Sequence, residues 1–421
     1  MSRLRRPGGL SIPAPVLWLL ASDLVLSMGV CAMFPFLPLY VRQRGGGSVA
    51  IAFFVAGPLL ANTLVQLPAG RVVDRVGRRP VLLGALAGYS LLAALLAVDR
   101  GPLWLLGAIR AGQGVFSGAY GPAMRSAIAD LSPPEKRAER FGMAQSAFMV
   151  GLLVGPAVGG ALAAVAQSLV FVCSSAAAAG AGLLVLLRVP ETRHLAVEGE
   201  TRRAAAQPAV WWRRRGVLVP LVGLGAMGIV MSMYDVVWPL YLTSRGQGTV
   251  VIGFSVTLYA VPLLLLSRRG GRLADRGNRR VLLAANFAVA SLTVLSYPFL
   301  HSLTPILLIG LVEAVSWVAT EPILYAVITD STPGSVRGRA MAAGGMAEFA
   351  GSAVGALALG ASWGLGEGIP FWSSSGVLVV AGTLCVLMVP ARRTAAERIA
   401  AGERDAQAEA AEPVGAGAAG S

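Results

Sequence analysis

Six ionisable side chains lie within long apolar stretches of this chain: Asp23, Arg110, Asp235, Glu313, Glu321 and Glu348. A charged group at the centre of a membrane-spanning helix costs about 2.5–3.5 kcal/mol on insertion scales. A carboxyl group in a medium of low dielectric constant takes up a proton more readily than one in water. The acids could therefore carry protons across an apolar barrier, and Arg110 could pair with one of them.

Aromatic and methionine residues recur beside these acids at helical spacing. Two stripes are present, one of Met227, Met231, Asp235 and Trp238 and one of Glu313, Trp317 and Glu321. An apolar, aromatic wall that includes carboxylates suits a lipophilic cation. For the methionines alone, a lipid-facing or packing stripe explains the pattern equally well. A carboxylate on the same stripe argues against exposure to lipid.

The elements that position these groups are membrane helices. Hydrophobic residues make up 55% of the chain, charged residues 13%, and the mean hydropathy is +0.69. A soluble domain averages about 25% charged residues. Twelve apolar runs are long enough to cross a bilayer. The first run, which begins near residue 12, is too long for a signal peptide and contains Asp23.

The chain repeats itself at half its length, which predicts two copies of one module. The segment GRVVDRVGRR at 70–79 returns as GRLADRGNRR at 271–280, and Pro-Leu-Tyr at 38–40 returns at 239–241. We predict an all-α membrane protein of twelve transmembrane helices in two pseudo-symmetric bundles of six. The bundles occupy 1–188 and 216–390, the cytoplasmic linker 189–215, and a largely disordered cytoplasmic tail 391–421.

The basic residues follow membrane sidedness, which explains the net charge of +14 without nucleic acid. With the N-terminus in the cytoplasm, 30 of the 35 Lys and Arg residues fall on the cytoplasmic side. This asymmetry predicts that both termini are cytoplasmic. The abundance of Arg, Ala and Gly beside a single Lys indicates a bacterial protein of the cytoplasmic membrane.

The repeated loop joins helices 2 and 3, and again helices 8 and 9. Its gating residues are Gly70, Asp74, Arg75, Gly77 and Arg78 in the first copy, and Gly271, Asp275, Arg276 and Arg279 in the second. Gly77 can adopt the positive φ of a tight turn, and we expect Asn278 to adopt it in the second copy. The aspartates could latch helices that later separate. A plain basic loop is the alternative.

Helix 5 carries Gly151, Gly155 and Gly159 on one face, and the same motif includes Pro156 and Gly160. They allow a neighbouring backbone to approach closely, and the proline permits a bend. The second copy keeps Gly351 and Gly355 but has Ala356 at the proline position. Ordinary close packing in a membrane bundle would also explain the pattern.

These motifs resemble those of the major facilitator superfamily. The repeated loop is similar to its signature loop, Arg110-Ala111-Gly112-Gln113-Gly114 to its helix-4 motif, and the helix-5 segment to the motif of its antiporters. Pro190-Glu191-Thr192 follows helix 6, as is common in that family. The resemblance covers nearly the whole chain and points to the bacterial drug:proton antiporter branch.

The resemblance implies that helices 1, 4, 7 and 10 line a central cavity, and five of the six ionisable groups are on those helices. We assign proton coupling to Asp23, Arg110, Glu321 and Glu348, and the substrate cavity to Gln113, Asp235, Trp238, Glu313 and Trp317. From their depths, at about 1.5 Å per residue, Asp23 and Arg110 could pair, and Asp235 and Glu313 would share the outer half. A buried structural role is the alternative for Asp23 with Arg110 and for Glu348.

No cofactor, metal site or enzymatic motif is expected. Cys31, Cys173 and Cys385 lie in apolar spans, His194 and His301 have no metal-site spacing, and no nucleotide-binding loop is present. The expected partners are a small-molecule substrate, protons and the lipid bilayer. Nucleic acid is not expected, and the chain is expected to be a monomer.

We therefore predict a secondary active transporter that exports hydrophobic or cationic drugs by alternating access and is driven by the proton gradient. The alternative is a narrow exporter or importer of a natural metabolite, such as a sugar, a metallophore or a self-made antibiotic. A sugar site would need several amides, and Gln66, Gln113 and Gln145 offer few. A membrane receptor or scaffold would leave the buried acids without a use.

Overall fold

The computed structural model describes residues 12–98, 101–133, 136–193, 215–332 and 334–389. Within these ranges we number the long helices α1 Ala14–Met33, α2 Ser48–Val76, α3 Arg78–Val98, α4 Leu103–Asp130, α5 Arg137–Val165, α6 Ser168–Arg188, α7 Arg215–Ser244, α8 Thr249–Arg276, α9 Arg279–Ser296, α10 Leu303–Ser331, α11 Gly334–Ser362 and α12 Ile369–Met388. Most of the predicted linker (194–214) and the predicted tail (391–421) lie outside the described residues.

Short helical turns extend some of these helices. After α1 the chain passes through a 3₁₀ turn, Phe34–Phe36, into the short helix Leu37–Gln43. Further 3₁₀ turns, Tyr297–Phe299 and Trp363–Leu365, follow α9 and α11. All regular structure in the described ranges is helical, which confirms the predicted all-α class.

Eleven of the helices in the described ranges are long and apolar enough to cross a membrane. The twelfth, α4, is of similar length but contains Arg110, Gln113 and Arg125, which interrupt its apolar sequence. Because every backbone N–H and C=O must be satisfied within lipid, continuous helices are the form that such a chain can take. The predicted twelve-helix membrane protein agrees with this arrangement.

The two halves pack by one plan. In the first half α1 contacts α5 and α6, α2 contacts α4, and α3 contacts α4 and α6. The second half repeats these contacts. There α7 contacts α11 and α12, α8 contacts α10, and α9 contacts α10 and α12. In the most apolar part of the spans Ala14–Gln43 and Gly216–Ser244, which contain α1 and α7, 67% of the residues are buried, against 22–39% for the flanking helices α2, α3, α5, α6, α8, α9, α11 and α12. The centre of the bundle is therefore built on α1 and α7.

Side-chain contacts repeat between the halves as well. The hydroxyls of Ser90 and Ser175 join α3 to α6 at 3.1 Å, and those of Ser291 and Ser375 join α9 to α12 at 2.8 Å. Tyr40 Oη donates to the Leu96 carbonyl at 3.2 Å. Tyr241, its counterpart, donates to the Tyr297 carbonyl at 2.7 Å. The sequence repeat is therefore accompanied by equivalent side-chain contacts in the two halves.

The helix-5 glycines bring α5 against α1. A Cβ on Gly151 would lie 2.5 Å from Ser27 Cβ, and one on Gly155 would lie 2.8 Å from the Met28 carbonyl oxygen. Gly159 lies against the backbone of Ala32. The counterparts on α11 pack on α7 in the same way, with Gly351 against Gly225 and Gly355 against Ile229. Close helix packing of this kind requires residues without a side chain.

The same two helices also join the halves. Gly160 and Pro156 of α5 meet the start of α8, where Thr249 Oγ1 donates to the Gly160 carbonyl at 3.1 Å and Gly253 lies against the Pro156 carbonyl. Gly360 of α11 lies against Ala52 of α2. We call this end of the bundle the far end, and the opposite end, where α2 meets α3 and α8 meets α9, the basic end. The described contacts close the far end.

A methyl group at Gly253 should loosen the far end, because its Cβ would collide with the Pro156 carbonyl. Spin labels at Val49 and Leu365, exposed residues of the two halves at this end, would report the separation by pulsed electron resonance. We expect Gly253→Ala to lengthen or broaden the distance distribution. Gly248→Ala, where a Cβ meets nothing within 4 Å, is the matched control and should leave it unchanged. Identical distributions for the two variants would contradict the assigned packing.

Candidate functional site

The first repeated motif is a helix end rather than an extended loop. α2 continues to Val76, and Gly77 alone separates it from α3. Gly77 has a φ of 112°, and a Cβ there would lie 2.7 Å from Glu191 Oε2. The position therefore needs glycine both for its backbone conformation and for the approach of this carboxylate.

Glu191 supplies the cap that α3 lacks in its own sequence. Its carboxylate accepts hydrogen bonds from the backbone N–H groups of Arg78 (3.0 Å), Arg79 (3.1 Å), Thr192 (2.9 Å) and Arg193 (2.8 Å). Partial burial raises the pKa of Glu191, but these N–H donors outweigh it and hold the pKa below its usual value. A carboxylate at a helix N-terminus also interacts favourably with the helix dipole.

An ion pair fastens the same corner to α4. Arg78 Nε lies 2.8 Å from Asp130 Oδ2, and the Thr192 hydroxyl donates to the same oxygen at 3.1 Å. The second half repeats the pair, with Arg279 Nη1 2.8 Å from Asp330 Oδ2. In both halves, therefore, a buried arginine joins the motif to the end of the fourth helix of that half.

The prediction for Asn278 is wrong. Its φ is −73°, and among the described residues positive φ values occur only at glycines. Asn278 instead caps α9 with its side chain, which accepts from the N–H groups of Arg280 and Val281. A side-chain acceptor at this position does the work that Glu191 does in the first half, so the turn needs no left-handed residue.

The remaining motif residues line the basic end. Asp74 lies 3.7 Å from Arg78, one turn away, with 55% of its side chain exposed. Arg75 is exposed, and Gly70 and Gly271 are partly buried. The side chains of Asp275 and Arg276 lie outside the described part of the structure. In this conformation Asp74 contacts its own half.

Arg110 lies at the centre of the molecule, with 2% of its surface exposed. Nη1 donates to Gln113 Oε1 at 2.6 Å, and the guanidinium lies 5.5 Å from the centre of the Phe34 ring. It also interacts electrostatically with Tyr89 of α3 and with Asp235 of α7. Arg110 therefore stands where the first half meets the second.

The structure does not bring Asp23 to Arg110 as the sequence predicted. Asp23 Oδ1 accepts a hydrogen bond from Tyr120 Oη at 3.0 Å. Tyr120 and Arg110 are ten residues apart on α4, about 15 Å along a helix. Because α1 and α4 are antiparallel neighbours in the bundle, the level of Asp23 corresponds to Tyr120.

Glu313 is fully buried among aromatic side chains. Tyr297 Oη donates to Oε2 at 2.8 Å, and Trp317 Nε1 to Oε1 at 3.3 Å. The rings of Tyr234 and Tyr259 contact each other in a tilted arrangement, 5.1 Å between centres, and both interact electrostatically with the same carboxyl group. Trp238 completes the group, 5.0 Å from Tyr297 and 5.5 Å from Tyr234. We call these five rings around Glu313 the aromatic enclosure.

The other acids lie at two positions in the second half. Asp235, predicted to act with Glu313, stands beside Arg110 and Cys31. Glu321 and Glu348 lie close enough to each other and to Tyr325 for electrostatic interaction. Glu321 is exposed and Glu348 partly so, which places this pair at the accessible side of the second half. Within the described residues no cluster of His, Cys, Asp and Glu could hold a metal ion.

Sequence reasoning missed the tyrosines. Tyr120, Tyr234, Tyr259 and Tyr297 contact or surround the acids, yet they were not among the predicted site residues. Tyr234 could have been found, because it directly precedes Asp235 and lies one turn before Trp238. Tyr297 and Tyr259 belong to other elements, and their approach to Glu313 depends on helix packing that spacing along one helix does not reveal.

Known proteins resemble this chain in sequence. The profile of the Major Facilitator Superfamily matches residues 17–355 and 221–417. The tetracycline resistance protein, class G, of Vibrio anguillarum is 30% identical over 269 residues, which cover 61% of this chain and 67% of that protein. The multi-drug resistance efflux pump PmrA homolog of Lactococcus lactis is 30% identical over 263 residues, 60% of this chain and 64% of that protein.

Solved structures share the fold. A bacterial homologue of the human lysosomal transporter Spinster, in an inward-facing and occupied conformation, has a TM-score of 0.75 at 15% identity and covers 90% of this chain and 97% of that one. A D-xylose–proton symporter has a TM-score of 0.73 at 16% identity, with 89% and 97% covered. At these identities the likeness concerns the fold alone.

Two pseudo-symmetric six-helix halves with polar groups buried between them define a multi-pass membrane transporter rather than an enzyme. The chain belongs to the Major Facilitator Superfamily. This confirms the family predicted from the motifs, and the efflux proteins among its relatives agree with the predicted antiporter branch.

Replacing the capping carboxylate should weaken the basic corner of the first half. We expect Glu191→Gln to lower stability by about 1 kcal/mol at pH 7, because the helix N-terminus loses a charged acceptor. The folded-state pKa of Glu191 is lowered, so its contribution is fully present above the unfolded value of about 4.3. The contribution disappears as the pH falls through the folded-state value.

Thermal melting of purified wild type and Glu191→Gln across this pH range would measure the effect. The difference between them should be constant near neutrality and shrink in acid. Glu139→Gln, which removes an exposed carboxylate 3.3 Å from Lys136, is the control and should change little. A difference for Glu191→Gln that did not depend on pH would rule out the charged cap.

Proposed function

We propose that this transporter exports hydrophobic, positively charged compounds in exchange for protons, across the cytoplasmic membrane of a bacterium. The basic end faces the cytoplasm in this proposal, because positively charged loops are retained on that side. Both termini are then cytoplasmic, and the conformation described is the one that faces inward. The working unit is a monomer that carries a small molecule and protons.

The aromatic enclosure is the observation that carries the proposal. A fully buried carboxyl group, surrounded by five aromatic rings on elements of the second half, offers Coulomb attraction and cation–π contacts together. Tyr234 and Tyr259 are partly exposed, so theirs are the rings that a cargo would meet first. Trp238 and Trp317 would form the inner wall, and Gln113 and Asp235 the opposite side of the cavity.

Exchange follows from charge balance in the buried cavity. The positive charge of the cargo is placed at Glu313 and the protons at other acids, so each compensates buried negative charge and the binding of one disfavours the binding of the other. We assign the proton to Asp23, Glu321 and Glu348, which lie toward the basic end, and assign to Arg110 the role of a fixed charge that influences them. Protons that enter from outside would release the cargo, so the proton gradient drives export.

The motifs outside the cavity serve the change of conformation in this proposal. Asp74, and Asp275 in the second half, would bind across to the opposite half when the basic end closes. The α5 and α11 glycines hold the far end closed in the conformation described. Loss of Asp74 would therefore slow turnover rather than weaken binding.

The relatives support a drug as cargo and leave a second candidate. Several are named tetracycline resistance proteins, and one a multidrug efflux pump. The names of the tetracycline resistance proteins favour this second candidate, a narrow exporter of a single antibiotic class. Transport by inverted membrane vesicles of a panel of cationic, zwitterionic and neutral compounds, with and without a pH gradient, separates the two. Gradient-independent or absent transport of the whole panel would overturn the proposal.

Asp23→Asn should abolish exchange of cargo for protons while the protein remains folded. The amide keeps the acceptor for Tyr120 Oη but cannot take up a proton. Proton release on cargo addition in vesicles measures the exchange, and cargo binding in detergent confirms folding. Asp23→Glu should restore part of the exchange, and Tyr120→Phe should retain it with altered pH dependence. Wild-type exchange by Asp23→Asn would remove Asp23 from the mechanism.

Glu313→Gln should weaken cationic cargo by about 1–2 kcal/mol, the scale of a desolvated charge contact. A neutral cargo of similar size should bind nearly as well as it does to the wild type, because it loses no Coulomb attraction. Equilibrium binding of a cationic dye and a neutral drug would make the comparison. Glu367→Gln, which removes an exposed acid at the far end, is the control. Equal losses for both cargoes would assign Glu313 to folding or coupling instead.

A further inference from the structure

Three buried hydrogen-bond donors in the described part of the molecule lack a well-aligned acceptor. They are Nε and Nη2 of Arg110 and Nε2 of Gln113, and Tyr89 lies near enough to Arg110 for a hydrogen bond of poorer geometry. Arg110 is 2% exposed and Gln113 is fully buried. A buried donor without a partner loses its full hydration energy, about 1–3 kcal/mol and more for a charged group. Donors left in this state in a native protein call for an acceptor that arrives from elsewhere.

The two side chains are held as a pair. Nη1 of Arg110 donates to Gln113 Oε1 at 2.6 Å, one helical turn further along α4. Because the amide oxygen already accepts this bond, the groups of the pair that lack a well-aligned partner are all donors. A guanidinium edge beside an amide N–H₂ group matches an oxyanion, which can accept several hydrogen bonds at once.

The surroundings place this donor pair at the seam between the halves. Phe34, which follows α1, lies over the guanidinium, and Tyr89 of α3 lies within hydrogen-bonding reach of it. From the second half Asp235 faces it, and Cys31 of α1 lies near Asp235. Asp235 is partly exposed, and it belongs to the half opposite Arg110, so alternating access must change the distance between the two groups.

We propose that Arg110 and Gln113 form a subsite for an acidic oxygen of the cargo, a carboxylate or an enolate. The inference rests on the proposed function, which supplies a cargo that passes through this seam. The subsite narrows the substrate class to compounds that carry both groups. An acidic oxygen would bind to Arg110 and Gln113 in the first half, and a positive charge would bind in the aromatic enclosure of the second half. Asp235 competes with this oxygen for the same guanidinium.

Binding of three probes to the purified full chain in detergent tests the subsite without a proton gradient. Tetracycline carries acidic enol oxygens and an ammonium group, salicylate carries a carboxylate alone, and ethidium is a cation without an acidic oxygen. We expect Gln113→Leu and Arg110→Lys to weaken tetracycline and salicylate about tenfold or more and ethidium less than about twofold. Asp235→Asn should strengthen both acidic probes several-fold, which loss of a merely structural contact would not do.

Arg125→Gln is the matched control, because it removes an exposed arginine elsewhere on α4 and should leave all three affinities unchanged. Retained ethidium binding shows that the variants are folded. Equal losses for acidic and cationic probes, or no binding of either acidic probe by the wild type, would overturn the subsite. Ethidium binding that depends on chloride, and loses this dependence in Arg110→Lys, would assign the donors to a free anion instead.

Failure of this proposal can be told apart from failure of the proposed function. Export is judged by the pH gradient in vesicles, and the subsite by equilibrium binding in the absence of a gradient. A chain that exports cationic dyes but binds no acidic oxygen refutes the subsite alone. A chain that binds salicylate through Arg110 but shows no gradient-driven export refutes proton-coupled export alone.

Discussion

Close backbone contact at glycine is the constraint on which the rest of this structure depends. On α5, three glycines face α1 inside the first half, and Gly160 faces α8 across the seam. On α11 the counterparts do the same toward α7 and α2. In lipid, apolar side chains gain nothing by leaving one apolar surface for another, so helix association depends on packing and on hydrogen bonds. One pair of helices therefore determines both the internal packing of each half and the closure between them.

That dual use limits how the molecule can move. The contacts on α1 and α7 lie within a half and can persist while the halves rock. The contacts on α8 and α2 lie at the far end and must break when that end opens. Each basic corner is stiffened by its own ion pair, Arg78 with Asp130 and Arg279 with Asp330. Rigid halves joined at a seam of small residues are suited to rocking about that seam.

Sequence reasoning was effective where the signal repeats or is periodic. The duplicated motif, the apolar runs and the helix-5 glycines were sufficient to predict the twelve helices, the two halves and the family. It was weaker where a contact depends on the relative level of two helices. Asp23 meets Tyr120 rather than Arg110, and Arg110 interacts electrostatically with Asp235 of the other half. For Asp23 the expected and the observed partner are ten residues apart on α4, about 15 Å or nearly three turns, so depths counted separately along α1 and α4 did not locate the contact.

The same limit explains the difference between the two basic corners. The duplicated motif suggested one turn geometry used twice, with Asn278 in the role of Gly77. The halves instead satisfy the same orphan N–H groups by different means. A carboxylate from beyond α6 caps α3, whereas the residue before α9 caps that helix itself. A sequence repeat conserves the need for a cap, but not the residue that provides it.

The chemistry of the two halves is unlike even though their packing is alike. The first half brings a guanidinium and an amide to the centre, and the second half brings Asp235 and the aromatic enclosure around Glu313. A buried charge is tolerated only beside a partner, and Arg110 and Asp235, which interact electrostatically, belong to different halves. Any movement that separates the halves therefore also separates charge from countercharge. Cargo and protons can stabilise the separated state by replacing the lost partner, and this links their binding to the opening of the seam.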